Sequence, residues 1–472
     1  MDPILYWNDA ALQANLVSHT NGKKEQTGPV LSSRALAVVH LAMYDAFAGV
    51  SRDPANLPPY LPGLTAPPDA ALNAAVAGAA HTTLVSLFPS QKTSFDAKLA
   101  QAGLPPAGYN AGIGFGITVA QAILKDRKDD PGSGDAGFVV PAKRGGHRPD
   151  PDSPGQGHYA PFYGNRSKCF AVSKAHTLDE YPKLDSKDYL DAVREVAAKG
   201  TAAEGPTVAS ANRRTSEESV VGLFWAYDGA FGVGTPPRLY NQIVREIATR
   251  RTPANTPAQN ARLFALVNVA MADAGILAWR EKFRHNLWRP VLGIREHDLS
   301  MGPDGTGQPT FDADCDCTWL PQGAPNTNVV GQKNTTPNFP AYPSGHATFG
   351  AAALQITRLF YNGPAALQHK PDNLTNGMTF VSDELNGVNT DNKGTVRPRH
   401  VRRFDDGLWE MIEENGRSRV YLGVHWVFDA FAVKNNGKPD LDQNRGGVPL
   451  GLKIAEDIFQ NGMSKSAVGP AE

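Results

Sequence analysis

The chain is poor in cysteine. Only Cys169, Cys315 and Cys317 occur in 472 residues. Their odd number speaks against a disulfide framework, and their spacing fits no zinc pattern. Charge of one sign is missing as well. The 46 basic and 47 acidic residues leave a formal net charge of −1. No whole-chain field therefore draws the protein to nucleic acid or to an anionic membrane, and any preference for anions must be local. Long hydrophobic runs are also scarce. The most apolar window, Leu263 to Trp279, contains Asn268 and Asp273 and is short for a membrane span, so it reads as a buried core helix. The first residues, MDPILYWNDAALQ, offer neither a basic leader nor an apolar stretch of the kind that directs secretion. A soluble protein is expected, cytoplasmic or exported without a classical signal peptide. Alternating β-patterns are rare, TFVSDE near residue 379 being the best, and no repeat of solenoid period is present.

Helical periodicity dominates what remains. In SSRALAVVHLAMYDAFAGV, residues Leu36, Val39, Met43 and Phe47 fall on one stripe, with Ser32 or Ser33 placed to cap its start. Residues 69–88, 188–199, 215–227, 237–250, 258–283, 346–361 and 405–418 show the same pattern. The fold class is mainly α. Long loops rich in Gly and Pro cover 129–165, 304–345 and 362–400. A connector at 200–214, GTAAEGPTVASANRR, divides an N-terminal half (1–200) from a C-terminal half (201–472) of one compact body. The tail beyond about 463 is expected to fray. Cys315 and Cys317 sit in an acidic loop, FDADCDCTW, which reads as a solvated loop with free thiols or as a link to another chain.

Three segments of the C-terminal half concentrate chemistry. In WREKFRHNLWRP, Lys282 and Arg289 stand seven residues apart, close to two helical turns, so an unbroken helix would present both on one face before Pro290. In PAYPSGHATFG, Ser344, Gly345 and His346 stand where a helix begins. Unpaired N–H groups and the positive dipole end receive anions there. In SRVYLGVHWVFDAF, His425 and Asp429 form an i, i+4 pair in which the carboxylate can fix the imidazole tautomer. Arg419 lies six residues before His425, about 120° away on a continuous helix, so a break near Gly423 is needed to bring both to one site. Each segment alone also reads as surface charge, a capped helix or an ordinary ion pair. Together they supply guanidinium forks, an ammonium, a hydroxyl, a helix N-terminus and two histidines. That set suits an oxyanion of phosphate size.

The pattern resembles that of the vanadium-dependent haloperoxidases and of the phosphatidic-acid phosphatase type 2 superfamily that shares their site. Lys282, Arg289-Pro290, Pro343-Ser344-Gly345-His346, Ser418-Arg419, His425 and Asp429 match it completely. Further stretches, among them TGPVLSSRALAVVHLAMYDAF, YAPFYG, WAYDG and GGVPLGLKIAEDIF, resemble the fungal chloroperoxidase subgroup, from about residue 5 to 462.

The resemblance implies two four-helix bundles with the metal site in the second, and vanadate as cofactor. It implies that His425 bonds vanadium and that Lys282, Arg289, Ser344, the Gly345 N–H and Arg419 hold the vanadate oxygens. His346 would serve as acid–base group, Lys282 would polarise bound peroxide, and Asp228 would pair with an arginine of the site. Phe339 and Trp279 fall where chloroperoxidases have an aromatic halide pocket; algal bromoperoxidases often carry histidine at the position of Phe339. Arg284, His285 and Asn286 depart from the acidic and aromatic residues of the fungal enzymes, and their positive charge is expected to act on the site. The implied partners are hydrogen peroxide, chloride or bromide and an organic acceptor, with phosphate as a competitor. An acid phosphatase using His425 as nucleophile, and a non-catalytic oxyanion binder, are the other readings.

Overall fold

The computed structural model describes residues 2–202 and 213–471. Most of the expected connector, residues 203–212, lies outside them. In the first half the helices are Pro3–Ser18 (α1), Pro29–Ser51 (α2), Leu72–Leu87 (α3), Lys92–Ala100 (α4), Tyr109–Asp126 (α5), Tyr163–Arg166 (α6) and Lys187–Lys199 (α7). In the second they are Ser216–Phe224 (α8), Pro236–Arg250 (α9), Pro257–His285 (α10), Pro290–Arg295 (α11), Gly345–Asn362 (α12), Gly407–Tyr421 (α13) and Gly447–Gln460 (α14). Strand is confined, among the described residues, to a two-residue antiparallel pair, Ala432–Val433 with Pro439–Asp440, and isolated bridges. The mainly helical class is thus as expected. TFVSDE is not a strand: Phe380 makes a single bridge to Arg402, and Asp383–Leu385 closes into a 3₁₀ turn capped by the Ser382 hydroxyl.

Two helices organise the rest. One is α2, which packs against α3, α5 and α10; the other is α10, which packs against α2, α12 and α14. Both are long and apolar enough to cross a membrane, but their apolar windows are 89% and 94% buried within the protein, which makes them core helices. A helix apolar on every side must be enclosed on every side. Small residues permit the approach. A Cβ on Gly275 of α10 would stand 3.1 Å from the Phe349 ring of α12 and 3.2 Å from Ser33 Oγ of α2, so three helices meet at that point. The start of α10 is fixed by Thr256, whose hydroxyl caps Gln259 N while the Gln259 side chain bonds back to Thr256 N. Its middle is tied to the chain before it by Asp273, which accepts the N–H groups of Phe170, Ala171 and Val172 at 2.5, 2.8 and 2.9 Å.

Two local expectations give way. Helix α2 begins at Pro29 behind Gly28, not at Ser32 or Ser33. Ser32 lies inside it and bonds Asn15 and the Gln26 carbonyl. The tail does not fray: Cys169 N donates to Val468 O, Ser466 N to Phe170 O and Ala471 N to Asn165 O.

The opening turn of α12 is seated on α14, where a Cβ on Gly447 would lie 2.5 Å from Ser344 O and one on Gly451 2.4 Å from Thr348 O. Gly451→Ala should therefore force these backbones apart and cost about 1–3 kcal/mol, read as a lower midpoint in thermal unfolding. Gly462→Ala, at a position with nothing within 4 Å but a φ of +66°, should cost less.

Candidate active site

The three segments converge. Lys282 occupies the last turn of α10, and Asn286 ends that helix in a left-handed conformation with φ +50°. Arg289 is then the N-cap of α11. The two cations therefore do not share an unbroken helix. They meet over one ring instead: Lys282 Nζ lies 5.1 Å and the Arg289 guanidinium carbon 4.9 Å from the centre of Phe339. Ser344 caps α12, its hydroxyl accepting Ala347 N at 3.4 Å, while its own N–H donates to Asp429 O at 2.8 Å and so joins the second segment to the third. Helix α13 stops after Arg419 as the spacing requires. Gly423 takes φ +70°, and a Cβ there would stand 2.4 Å from Gly200 O. His425 follows, but it opens no α-helix: Val427–Asp429 forms one 3₁₀ turn with Trp426 as its cap.

Hydrogen bonds assign the imidazole tautomers. His425 Nδ1 lies 2.7 Å from Asp429 Oδ2, so Nδ1–H donates and Nε2 keeps its lone pair. That lone pair faces Arg289 Nη1 at 2.9 Å. Burial first, and then the charges of Arg289, Lys282 and Arg419, hold the His425 ring well below its ordinary range, hence neutral. His346 Nε2 lies 2.6 Å from the Ala226 carbonyl and donates to it, which leaves Nδ1 unprotonated. Burial, followed by the Arg419 charge, lowers His346 to about 3. Asp228 grips Arg419 with both oxygens, at 2.9 and 2.7 Å, and stands 4.0 Å from His346. This is the arginine pairing expected for Asp228.

The donors are arranged for an anion. Lys282, Arg289 and Arg419 are all buried, against the carboxylates of Asp228 and Asp429. Arg289 spends Nε on Phe339 O and Nη1 on Val424 O, yet its Nη2 has no partner; neither has Arg419 Nε. Orphaned buried guanidinium N–H groups fit an oxyanion. Lys282 differs from its expected role. Its three donors go to the carbonyls of Pro340, Ala341 and Pro343 at 2.8, 3.0 and 2.5 Å, so it reaches an anion only by exchanging one of them. Burial and Arg289 push its amine well below the usual range.

A cavity of about 230 Å³ opens on Asp228, His346, Arg419 and His425, with Trp279 and Phe339 as a wall. The two rings lie 4.8 Å apart. The first half of the chain closes the opposite side with Gly28, Pro29 and Tyr159, residues not foreseen as part of the site. The Tyr159 hydroxyl donates to Thr27 O at 2.9 Å, and its carbonyl accepts Trp279 Nε1 at 3.3 Å. Their signal in the sequence was that Gly28 and Pro29 fall at the start of TGPVLSSRALAVVHLAMYDAF and Tyr159 opens YAPFYG, two of the stretches that carry the resemblance. Arg284 and His285 do not act on the cavity: Arg284 bonds Glu281 at 2.6 Å and Leu178 O, and His285 bonds Glu180 at 3.0 Å. The Arg284 charge is thus paired with Glu281.

Comparison with known proteins agrees with this geometry. Residues 1–105 match the vanadium chloroperoxidase N-terminal domain, and residues 262–439 match the second helical-bundle domain of the same enzyme. Vanadium chloroperoxidase of Curvularia inaequalis is 37% identical across 98% of this chain and 90% of its own length. The chain belongs to the vanadium chloroperoxidase family. It is accordingly a vanadium-dependent haloperoxidase, with vanadate as cofactor and hydrogen peroxide and halide as substrates. The fold is shared with a bacterial vanadium-dependent iodoperoxidase (TM-score 0.60, 21% identity, 96% of this chain and 95% of that one). It is shared too with the apo form of a bacterial vanadium-dependent chloroperoxidase (TM-score 0.58, 16% identity, 92% and 95%).

The Asp429–His425 bond orients the imidazole, so Asp429→Asn should weaken vanadate binding by about 10–100-fold. Calorimetric titration of the metal-free protein with orthovanadate checks this, with unchanged circular dichroism as the folding control.

Proposed function

We propose that vanadate binds between α10, α12 and α13, that His425 Nε2 is its protein ligand, and that the enzyme oxidises chloride as well as bromide. The observation that carries this reading is the His425 Nε2 lone pair, fixed by Asp429 and met by Arg289 Nη1 at 2.9 Å, a contact an oxyanion would take over, together with the buried guanidinium donors Arg289 Nη2 and Arg419 Nε that lack partners. Arg289, Arg419, Ser344 and the first N–H groups of α12 hold the oxygens. Lys282 joins them by giving up one carbonyl. Bound there, vanadate supplies a Lewis acid that activates hydrogen peroxide toward halide.

The side chains do the rest. Asp228 keeps the Arg419 fork in one orientation and so fixes where its free Nε points. His346 keeps its Nε2 proton on the Ala226 carbonyl and offers Nδ1 as proton acceptor. It is neutral when empty, and a bound oxyanion raises its basicity into a range useful for catalysis. Trp279 and Phe339 exclude water from the halide side, and a weakly hydrated halide is the better nucleophile. The product, hypohalous acid, leaves the cavity or meets an organic acceptor there. Phosphate presents the same oxygens and competes for the same donors.

The test is direct. Protein loaded with orthovanadate should oxidise bromide and chloride with hydrogen peroxide, read with a halogenatable dye. Metal-free protein should show only weak hydrolysis of p-nitrophenyl phosphate. Efficient phosphate hydrolysis with no halide oxidation would replace this reading by the acid phosphatase with His425 as nucleophile. His425→Ala should lose tight vanadate binding and activity together. His346→Ala should keep measurable vanadate binding but lose about 10²–10⁴-fold in turnover. Phe339→His should lower chloride turnover relative to bromide by about tenfold, measured as the ratio of the two kcat/KM values.

A further inference from the structure

On the outer side of α11, away from the cavity, a second cluster stands. His297, Asp312 and Asp314 each turn one ligand atom inward, and these atoms all lie within 4.8 Å of one another. None of the three lines the cavity of the vanadate site. His297 is 4% exposed, its Nδ1 is sealed from solvent without a hydrogen-bond partner, and its Nε2 faces Asp312 Oδ2 at 3.7 Å, too far for a hydrogen bond. Nδ1 is the nitrogen left without a partner, while Nε2 is not sealed off and faces the carboxylate of Asp312, open to a ligand bond. Burial, the largest influence on the His297 ring, lowers its basicity.

We infer that His297, Asp312 and Asp314 form a binding site for a divalent cation of the Zn²⁺ type, which clips the acidic loop to the end of α11. Ligands bonded at about 2.1 Å to a tetrahedral ion stand about 3.4 Å apart. The His297–Asp312 pair at 3.7 Å is close to that, and the loop carboxylates, whose ligand atoms lie within 4.8 Å of that of the imidazole and of each other, close the rest by rotating their side chains. One imidazole and two carboxylates suit Zn²⁺ better than Mg²⁺, which prefers oxygen and retained water.

The frame around the cluster is already rigid. The His297 ring stacks on Tyr189 at 6.3 Å and 19°, and Tyr189 accepts Trp288 Nε1 at 2.7 Å. Arg144 donates to the carbonyls of Glu296, His297 and Asp298, which holds the backbone on either side of the imidazole. The loop supplies its carboxylates through local bonds: Asp312 N donates to Asp298 Oδ2 at 2.6 Å and Asp314 N to Asp312 Oδ1 at 2.9 Å. Arg194 occupies Asp314 at 2.8 Å, but its side chain is 59% exposed and swings away into water at little cost. The ion would thus join the loop that carries Cys315 and Cys317 to the short helix headed by Arg289, as a structural clip with no part in halide chemistry.

The experiment uses vanadate-loaded protein freed of other divalent ions by chelation and titrated with Zn²⁺ alone. One equivalent should bind and raise the thermal midpoint. Asp312→Asn and Asp314→Asn, both in a solvent-facing loop, should keep the zinc-free midpoint and lose the zinc-dependent rise, with affinity down at least tenfold. His297→Gln should do the same where it folds. Undiminished Zn²⁺ binding in Asp312→Asn and Asp314→Asn, or no binding to the parent protein, overturns the assignment. Halide oxidation of the vanadate-loaded protein reports separately on the main site.

Discussion

Three cations held together in a dry interior are the constraint around which this protein is arranged. Lys282, Arg289 and Arg419 are each no more than 1% exposed. Removing such charges from water costs several kcal/mol apiece even after relaxation. The structure offsets this by spending backbone carbonyls and one carboxylate on them. Lys282 takes three carbonyls, Arg289 takes two, and Arg419 takes both oxygens of Asp228. What the three cations leave unsatisfied is one N–H group on each guanidinium, Arg289 Nη2 and Arg419 Nε, with Arg289 Nη1 against the His425 lone pair. The free-energy deficit is local, and it has the shape of the anion that relieves it.

The helices serve that arrangement. The carbonyls that hold Lys282 belong to the loop leading into α12, so the ammonium of α10 fixes where α12 starts. Ser344 N bonded to Asp429 O fixes the same turn from the other side. Glycines 447 and 451 let α12 and α14 approach until their backbones nearly touch, and Gly275 of α10 admits the Phe349 ring of α12 and Ser33 of α2. Position in the site is therefore set by main-chain contacts, which do not change rotamer, and only the last polar atoms are left to side chains. Preorganisation of this kind is what catalysis by fixed dipoles requires.

How much of this could be read beforehand depends on the element. The residues that meet in the cavity, Arg419, His425, His346, Asp228, Phe339 and Trp279, were legible because their chemistry is rare in combination. The break at Gly423 followed from angular arithmetic alone. Geometry between motifs was less visible. Lys282 and Arg289 looked helical together, since nothing in the sequence announces that Asn286 would adopt the left-handed cap. The helices α1, α5 and α14 did not register because their signals run against rule. Asn8 and Asn15 of α1 look like surface but are buried, Asn8 against His40 and Asn15 against Ser32. Gly112 and Gly116 of α5 look like breakers but clear room for α3, a Cβ on Gly116 falling 2.1 Å from Ala75 O. Tyr159 belongs to the long 129–165 loop, and its place in the wall of the cavity needed the third dimension.

One contact in the wall of that cavity ties two distant stretches of the chain together. A Cβ on Gly28 would fall 2.4 Å from the Tyr159 ring, and Gly28 itself sits at φ +78°. Neither position can be exchanged freely while the other stays as it is: a side chain at 28 meets the Tyr159 ring and a backbone conformation that L residues rarely adopt, and a smaller residue at 159 leaves space that glycine does not fill. The wall of the cavity is kept here by the pair, and by neither residue alone.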